Sequence, residues 1–354
     1  MSLNTSLFQN PLYKLGKKLM FAGLFRSGLL RIFRRRQRDT VLVLIYHDVL
    51  PPGFPERNPL FGMTVSTTEF EWQLRYVRKH YNPITFQQFA DWFTKGENLP
   101  PFPVLITFDD GHANNSGFAL PILSKLNVPA VCFVVSGNLG KHSLTWFEDA
   151  YYRLMFSSAT EWRMRSGETL PLLTEEQRSA ACGRFFVLCR EMKEAEQATE
   201  LKSLREQLQL DTAIEFPDRF RFLSSEEMRS LHQSGVEIGA HTITHPILST
   251  LPDHAARNEI VGSKAQLEEA SGVPVRAFAY PFGAAGLDFT ARERELARQS
   301  GFLFAFAGEG GSVDRRKDAF NLPRTGVGKM TRPQFAAMIT GATQCLKTLF
   351  PRGA

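Results

Sequence analysis

Two adjacent carboxylates stand at the end of an apolar run in Ile106-Thr107-Phe108-Asp109-Asp110-Gly111. Neighbouring side chains on an extended segment point to opposite sides, so one acid can sit on a metal while the other faces a reacting water. A second run, Gly239-Ala240-His241-Thr242-Ile243-Thr244-His245-Pro246, carries two imidazoles with three residues between them. They converge on one ion if the chain turns helically after His241. Two histidines, one carboxylate and open positions for water suit Zn²⁺ or a related divalent ion; the same set also serves non-haem iron oxygenases. A third run, Phe278-Ala279-Tyr280-Pro281-Phe282-Gly283, brackets an aromatic between proline and glycine. That fixes a loop whose backbone N–H can face a substrate oxygen. Singly, each motif has an ordinary reading as a turn or a structural histidine. The chemistry depends on their meeting.

Each motif follows a strand-like run. Seven such runs recur, at residues 41–47, 104–109, 130–135, 236–241, 276–280, 302–307 and 320–327. Most are continuously apolar, as suits strands buried on both faces of a parallel sheet. Segments between them, such as 68–80 and 253–270, have helical spacing and polar starts. The alternation predicts an α/β fold, either a barrel or a doubly wound sheet, whose sites gather at the carboxyl ends of the strands. Residues 148–215 contain no convincing strand and read as a helical insertion, with a helix start at Thr174-Glu175-Glu176. The expected organisation is a leader over 1–40, a barrel over 41–335 and a C-terminal helix or tail over 336–354, the helical pattern itself spanning 331–349.

The 354 residues are 43% hydrophobic and 22% charged, an ordinary globular mix that excludes disordered and fibrous classes. Four cysteines, none spaced CxxC, make no disulfide scaffold: Cys132 in an apolar run reads as core filler, Cys182 and Cys189 can share a helix face without being bonded, and the set fits a reducing compartment. The formal charge is +6, and residues 1–40 hold nine Lys/Arg against the single acid Asp39, leaving 33 basic and 35 acidic side chains beyond them. The body therefore gives no electrostatic case for nucleic acid. The leader is too short in apolar run for a spanning helix and lacks a signal-peptide cleavage pattern. Its mixture of Leu19, Phe21, Leu24, Phe25, Leu29, Leu30, Ile32 and Phe33 with cations suits a basic amphipathic segment on an anionic membrane surface; a solvated tail or a helix packed on the domain is the alternative. The expectation is a cytoplasmic protein with a membrane-peripheral option.

In this order, Thr-Phe-Asp-Asp-Gly, His-Thr-x-x-His and the Tyr-Pro-Phe-Gly loop resemble the polysaccharide deacetylase family, carbohydrate esterase family four. Tyr46-His47-Asp48-Val49 and Trp146-Phe147 are similar to bacterial members. The resemblance spans about residues 41–327 apart from the insertion. It implies a distorted (β/α)₇ barrel, here with a helical insertion and a basic N-terminal segment. It further implies a metal-dependent hydrolase of carbon–nitrogen bonds other than peptide bonds. Such an enzyme removes N-acetyl groups from amino sugars of a polysaccharide, oligosaccharide or lipid-linked glycan. A catalytically weak glycan-binding protein on the same fold, or an O-deacetylase, is the alternative.

Carried over to this chain, the resemblance makes Asp110, His241 and His245 the ligands of a divalent metal, zinc first among them. Asp109 becomes the general base, and the Phe282 N–H helps to hold the oxyanion. Two departures stand out. The family often has arginine two residues before the proline, paired with the base, where this chain has Ala279. Arg324, at the end of the last strand-like run, is the replacement candidate and Arg276 the alternative. A late Leu-x-His motif is also missing, since no histidine follows His254. His47, His112 or another acid must then protonate the leaving amine, and His47, ending the first run, is the nominee. Trp146, Tyr280 and Phe282 are candidates for stacking on sugar rings.

Overall fold

A computed structural model of the chain describes residues 11–53, 62–210, 220–343 and 345. Two helices, α1 (Pro11–Arg26) and α2 (Leu30–Arg35), precede β1 (Val41–Tyr46). Next come α3 (Thr67–His80), α4 (Phe86–Lys95), β2 (Pro103–Phe108), α5 (Leu120–Leu126) and β3 (Ala130–Val134). The segment after β3 holds α6 (Trp146–Phe156), β4 (Glu161–Arg163), β5 (Thr169–Pro171), α7 (Glu175–Glu191) and α8 (Glu194–Gln207). The chain then runs through α9 (Ser225–Gln233), β6 (Val236–Ala240), α10 (Asp253–Ser271), β7 (Ala277–Ala279), α11 (Ala291–Gln299) and β8 (Phe304–Phe306). It finishes with β9 (Thr325–Gly326) and α12 (Arg332–Ile339).

Strands β1, β2, β3, β6, β7 and β8 pair in parallel, each beside the next. The seventh member is short and irregular: Leu322 bridges Phe306, and β9 pairs in parallel with Leu44 and Ile45 of β1. That segment joins the last strand to the first, closing a distorted seven-membered barrel. The irregularity accounts for the contrast between the eight-residue strand expected over 320–327 and the two-residue strand observed.

Alternation along the strands sorts two cores. Val41, Val43, Leu105, Val131, Phe133, Ala277, Ala279, Phe304 and Phe306 fill the barrel interior, capped by Phe86 and Phe89 of α4. Leu42, Leu44, Tyr46, Ile106, Phe108 and Cys132 face the surrounding helices. Burial on both sides explains the unbroken apolar runs. The helices start where their sequences direct, with reciprocal capping boxes at Ser66/Glu69, Thr85/Gln88, Thr145/Glu148, Ser224/Glu227 and Thr290/Glu293.

The insertion departs from a purely helical reading. β4 and β5 form an antiparallel hairpin, with Trp162 buried opposite Leu170. Strands of three residues with exposed alternate positions leave too short a pattern to detect. The insertion has its own core around Phe147, Trp162, Phe185 and Leu204, onto which Ile247 and Phe282 from the barrel mouth pack. Residues 211–215 of the expected insertion lie outside the described residues, as do residues 1–10 of the leader and most of 344–354. The boundary expected at 335 falls inside α12.

Candidate active site

The register brings the motifs level. Tyr46 pairs with Phe108, Val134 with Ala240 and Ala240 with Phe278. His47, Asp109 and His241 are thus each the first residue beyond the carboxyl end of a strand. Each also continues the inward-facing positions of its strand, after Val43, Leu105 and Gly239. A cavity of about 350 Å³ opens there, and His47, Asp109, Asp110, His241, His245 and Arg324 all line it.

Asp110 reaches the cavity by a route that alternation does not supply. An extended Asp110 would face away from the barrel interior. Instead its φ is 74°, followed by Gly111 at 78°, and this left-handed turn brings the second carboxylate round beside the first. Gly111 is also required by space, since a Cβ there would lie 2.8 Å from Val134. The histidines likewise meet without the helical turn that their spacing suggested. Thr242 (φ 66°) and His245 (φ 60°) bend the loop back. The Glu259 carboxylate accepts the N–H groups of Ile243 and Thr244 at 2.7 and 2.9 Å and the Thr244 hydroxyl at 2.7 Å. Four of the six non-glycine residues with positive φ among the described residues are Asp110, Thr242, His245 and Phe282. Backbone strain costs about 1–3 kcal/mol per residue, and here it is gathered at the site.

His241 Nε2 lies 3.7 Å and His245 Nε2 3.5 Å from Asp110 Oδ1. One ligand atom from each of the three residues lies within 4.8 Å of the others, and all three residues are buried. Their chemistry fits a divalent cation. Asp110 Oδ1 is buried with no hydrogen-bond partner among the described residues. Burial pushes the Asp110 carboxyl well above its ordinary pKa, and neighbouring Asp109 adds to the rise despite opposition from His112. The His241 Nδ1 bonds the Ala279 carbonyl at 2.7 Å, which leaves Nε2 as the lone-pair donor. Burial lowers the His241 pKa to about 4 and that of His245 well below normal, so both rings are neutral as ligands must be.

Asp109 stands in the opposite electrostatic situation. Its carboxylate takes two parallel hydrogen bonds from Arg324, at 2.7 and 2.8 Å, and both side chains are buried. Burial would raise its pKa, but Arg324 and His241 overcome this and hold it at about 2. Arg324 is itself fixed by the Ala307 carbonyl (3.1 Å), by Thr107 Oγ1 (3.3 Å) and by lying over the Phe133 ring. Arg276, the alternative partner, instead bonds Glu237 and Gln87 and lies outside the cavity lining.

His47 lines the cavity with its Nδ1 buried and without a partner among the described residues. Burial lowers its pKa, while Asp109 and Asp48 oppose the shift. His112 is not available as a proton donor to this cavity. Its ring is buried between Asp48 (3.1 Å) and Glu148 (3.2 Å) and stays out of the lining. Phe282 sits at φ 59°, and no hydrogen bond among the described residues takes up its N–H. The loop is locked by close backbone packing, since a Cβ on Gly283 would lie 2.3 Å from the Gly308 nitrogen.

The aromatic expectations hold in part. Phe282 and Tyr280 both line the cavity, but Tyr280 is buried, stacked on Phe289 at 3.8 Å, and donates its hydroxyl to the Phe320 carbonyl, so its ring face is already taken up by Phe289. Trp146 supports the wall from behind, donating to the His245 carbonyl at 2.9 Å and packing on Phe282. Sequence reasoning missed Phe186 and Arg190, which α7 of the insertion brings into the cavity lining. Arg190 pairs with the fully buried Asp288, which also accepts the Ala284 N–H. No signal short of the tertiary structure marks them.

Comparison with known proteins agrees with this geometry. A family model described as polysaccharide deacetylase matches residues 96–305. Poly-beta-1,6-N-acetyl-D-glucosamine N-deacetylase of Staphylococcus aureus is 28% identical over 116 residues, covering 30% of this chain and 40% of that protein. The match thus spans well under half the length of that relative. Among solved structures, IcaB from Ammonifex degensii aligns with a TM-score of 0.55 at 23% identity, over 85% of this chain and 97% of that one. The Streptococcus pyogenes deacetylase PplD aligns with a TM-score of 0.57 at 17% identity, over 86% and 99%. These likenesses carry the fold. With the family match extending over more than half of the sequence, the chain belongs to the polysaccharide deacetylase family.

Proposed function

We propose that the protein is a metal-dependent hydrolase that removes N-acetyl groups from the amino sugars of a glycan. The observation that carries this reading is the unlike treatment of two adjacent acids. Asp109 is held ionised by Arg324, while Asp110 sits with two neutral imidazoles and, among the described residues, no arginine or lysine paired to it. Asp110, His241 and His245 would hold the metal, zinc by donor set, and when bound it supplies Lewis-acid polarisation of the acyl group and of water. Asp109 takes the proton of the attacking water as the new C–O bond forms. The Phe282 N–H donates to the oxyanion. The proton that Asp109 takes from the water is passed on to the amine nitrogen as the C–N bond breaks, with His47 as its relay, so that acetate and a free amine leave. Arg324 occupies the role left open by Ala279, which favours a hydrolase over a glycan-binding protein.

The Staphylococcus aureus relative's name makes β-1,6-linked N-acetylglucosamine oligomers the first substrate to test. The four free cysteines support placing the reaction in a reducing compartment such as the cytoplasm. Acetate release from these oligomers with added Zn²⁺ or Co²⁺ tests the reading, with Asp109→Asn as its partner. Release abolished in the variant, with metal still bound, supports it. Metal binding without any release by the wild type would instead favour the glycan-binding alternative, and release only from O-acetylated sugars an O-deacetylase.

A further inference from the structure

Helices α1 and α2 have one side committed to the barrel and another that is not. On the inner side, Phe21 and Leu30 are buried against Ala336, Ala337 and Ala342. Arg34 bonds His80 Nδ1 at 3.0 Å and the His80 carbonyl at 3.2 Å, and Gln37 bonds the Ile339 carbonyl at 2.9 Å. These contacts fix which side faces out. A surface helix normally presents polar residues to water. The outward stripe of α1 instead carries Gly16, Leu19, Met20 and Gly23, and Leu19 is 64% exposed. Leu29 and Ile32 (55% exposed) extend the apolar surface across to α2, while Phe25, 38% exposed, packs toward Tyr76 at its edge. Five of the eleven exposed large hydrophobic residues among those described thus fall within fourteen positions.

Charge identifies the occupant. Arg26, Arg31, Arg35, Arg36 and Arg38 are all exposed around this apolar surface, and the single acid of the segment, Asp39, is paired with Arg38. Apolar side chains set among arginines with almost no acid complement an anionic interface that has an apolar layer beneath it. No helix among the described residues is long and apolar enough to cross a membrane, so the contact would lie in the interfacial plane. We propose that this face docks the protein on the surface of an anionic lipid bilayer. The segment leads into the amino end of β1, whereas the cavity opens at the carboxyl ends. Docking therefore leaves the active-site mouth turned away from the lipid, toward a glycan in the surrounding solution.

The test uses the full chain and needs no catalysis, so it stands apart from the functional reading. Sedimentation with vesicles of phosphatidylcholine alone is compared with vesicles that also contain phosphatidylglycerol. Binding only to the anionic vesicles, lost in 1 M salt where screening falls to about 3 Å, is expected. Arg31→Gln/Arg35→Gln/Arg36→Gln should weaken it about fivefold per arginine, on the order of a hundredfold together. Leu19→Gln/Met20→Gln/Leu29→Gln/Ile32→Gln should weaken it comparably, and because these side chains face outward, the thermal melt should be unchanged. Absence of binding, equal binding to both vesicle types, or binding unaltered in both variants would overturn the proposal. A wild-type dimer in light scattering that the apolar variant dissociates would also overturn it, by showing that a second copy covers the face.

Discussion

Arg324→Ala removes the guanidinium that, among the described residues, pairs with the proposed base. In the wild type Asp109 titrates at about 2 rather than 3.8 although its carboxylate is buried. The difference corresponds to a net stabilisation of the ionised form on the order of 2 kcal/mol, after the cost of burial has been met. Because the folded value is depressed, this contribution is present above about pH 3.8 and is lost as pH falls through about 2. Without Arg324, the largest effect opposing burial is gone, and the carboxyl rises from its depressed value as burial reasserts itself. Breaking a buried pair from one side costs about 3–5 kcal/mol of stability. Loss of an oriented, ionised base costs about 10²–10⁴-fold in rate.

The assay is acetate release across pH, together with denaturant unfolding at pH 7 and near pH 3. For Arg324→Ala, kcat/KM should fall by at least 10²-fold at neutral pH, and the acidic limb of the profile should move to higher pH. The stability deficit at pH 7 should shrink near pH 3. Arg324→Lys should restore the position of the limb but little of the rate, because an ammonium cannot make both parallel hydrogen bonds. Wild-type activity and an unmoved acidic limb in Arg324→Ala would refute the reasoning.

The other expectations concern the ligands and the loops that hold them. His241→Ala and His245→Ala should each lose bound metal by elemental analysis, and full occupancy in either would overturn the assignment. His112→Ala strands the buried Asp48 and Glu148 carboxylates, so denaturant unfolding should show a loss of about 3–5 kcal/mol, with metal retained by the folded fraction. Glu259→Gln weakens the clamp on Ile243 and Thr244 and should lower metal affinity by about 10–100-fold in a competition titration, while Asp109 stays paired with Arg324. Gly137→Ala places a Cβ 2.5 Å from the Ile243 carbonyl, on the loop between the two histidines, and should lower both the melting temperature and zinc affinity.

The strands, and hence the site, were legible because parallel strands buried on both faces leave unbroken apolar runs with chemistry at their ends. The roles of Asp109, His241 and His47 came from the family resemblance, while their placement at strand ends follows from that pattern. The reasons for Asp110 and His245 did not, because left-handed backbone at aspartate, threonine and histidine leaves no mark in composition. A turn that glycine would announce is here imposed by tertiary contacts such as the Glu259 clamp. Arg324 was legible as a late arginine at a strand end, preferred to Arg276 at the start of its run, and the closing of the barrel supplies the physical reason it meets Asp109. The insertion was read as helical because its hairpin strands have three residues each. Its contribution to the cavity, Phe186 and Arg190, depends on how α7 packs across the mouth and has no local signature.

The division of labour between neighbouring acids follows from one backbone event. Had Asp110 stayed extended, it would point away from the barrel interior, toward the helices, and only Asp109 would reach the cavity. The left-handed step at Asp110 and Gly111 turns the second carboxylate toward the imidazoles, while alternation keeps the first on Arg324. Two carboxylates in one buried cavity would ordinarily share a proton through mutual repulsion. Here each has a different remedy, a fixed guanidinium for one and a site for a mobile cation for the other. A cation bound to the Asp110 carboxylate removes the repulsion between the acids without competing for Arg324. The strain gathered at Asp110, Thr242 and His245 is thus tied to the convergence of three buried donor atoms within 4.8 Å of one another.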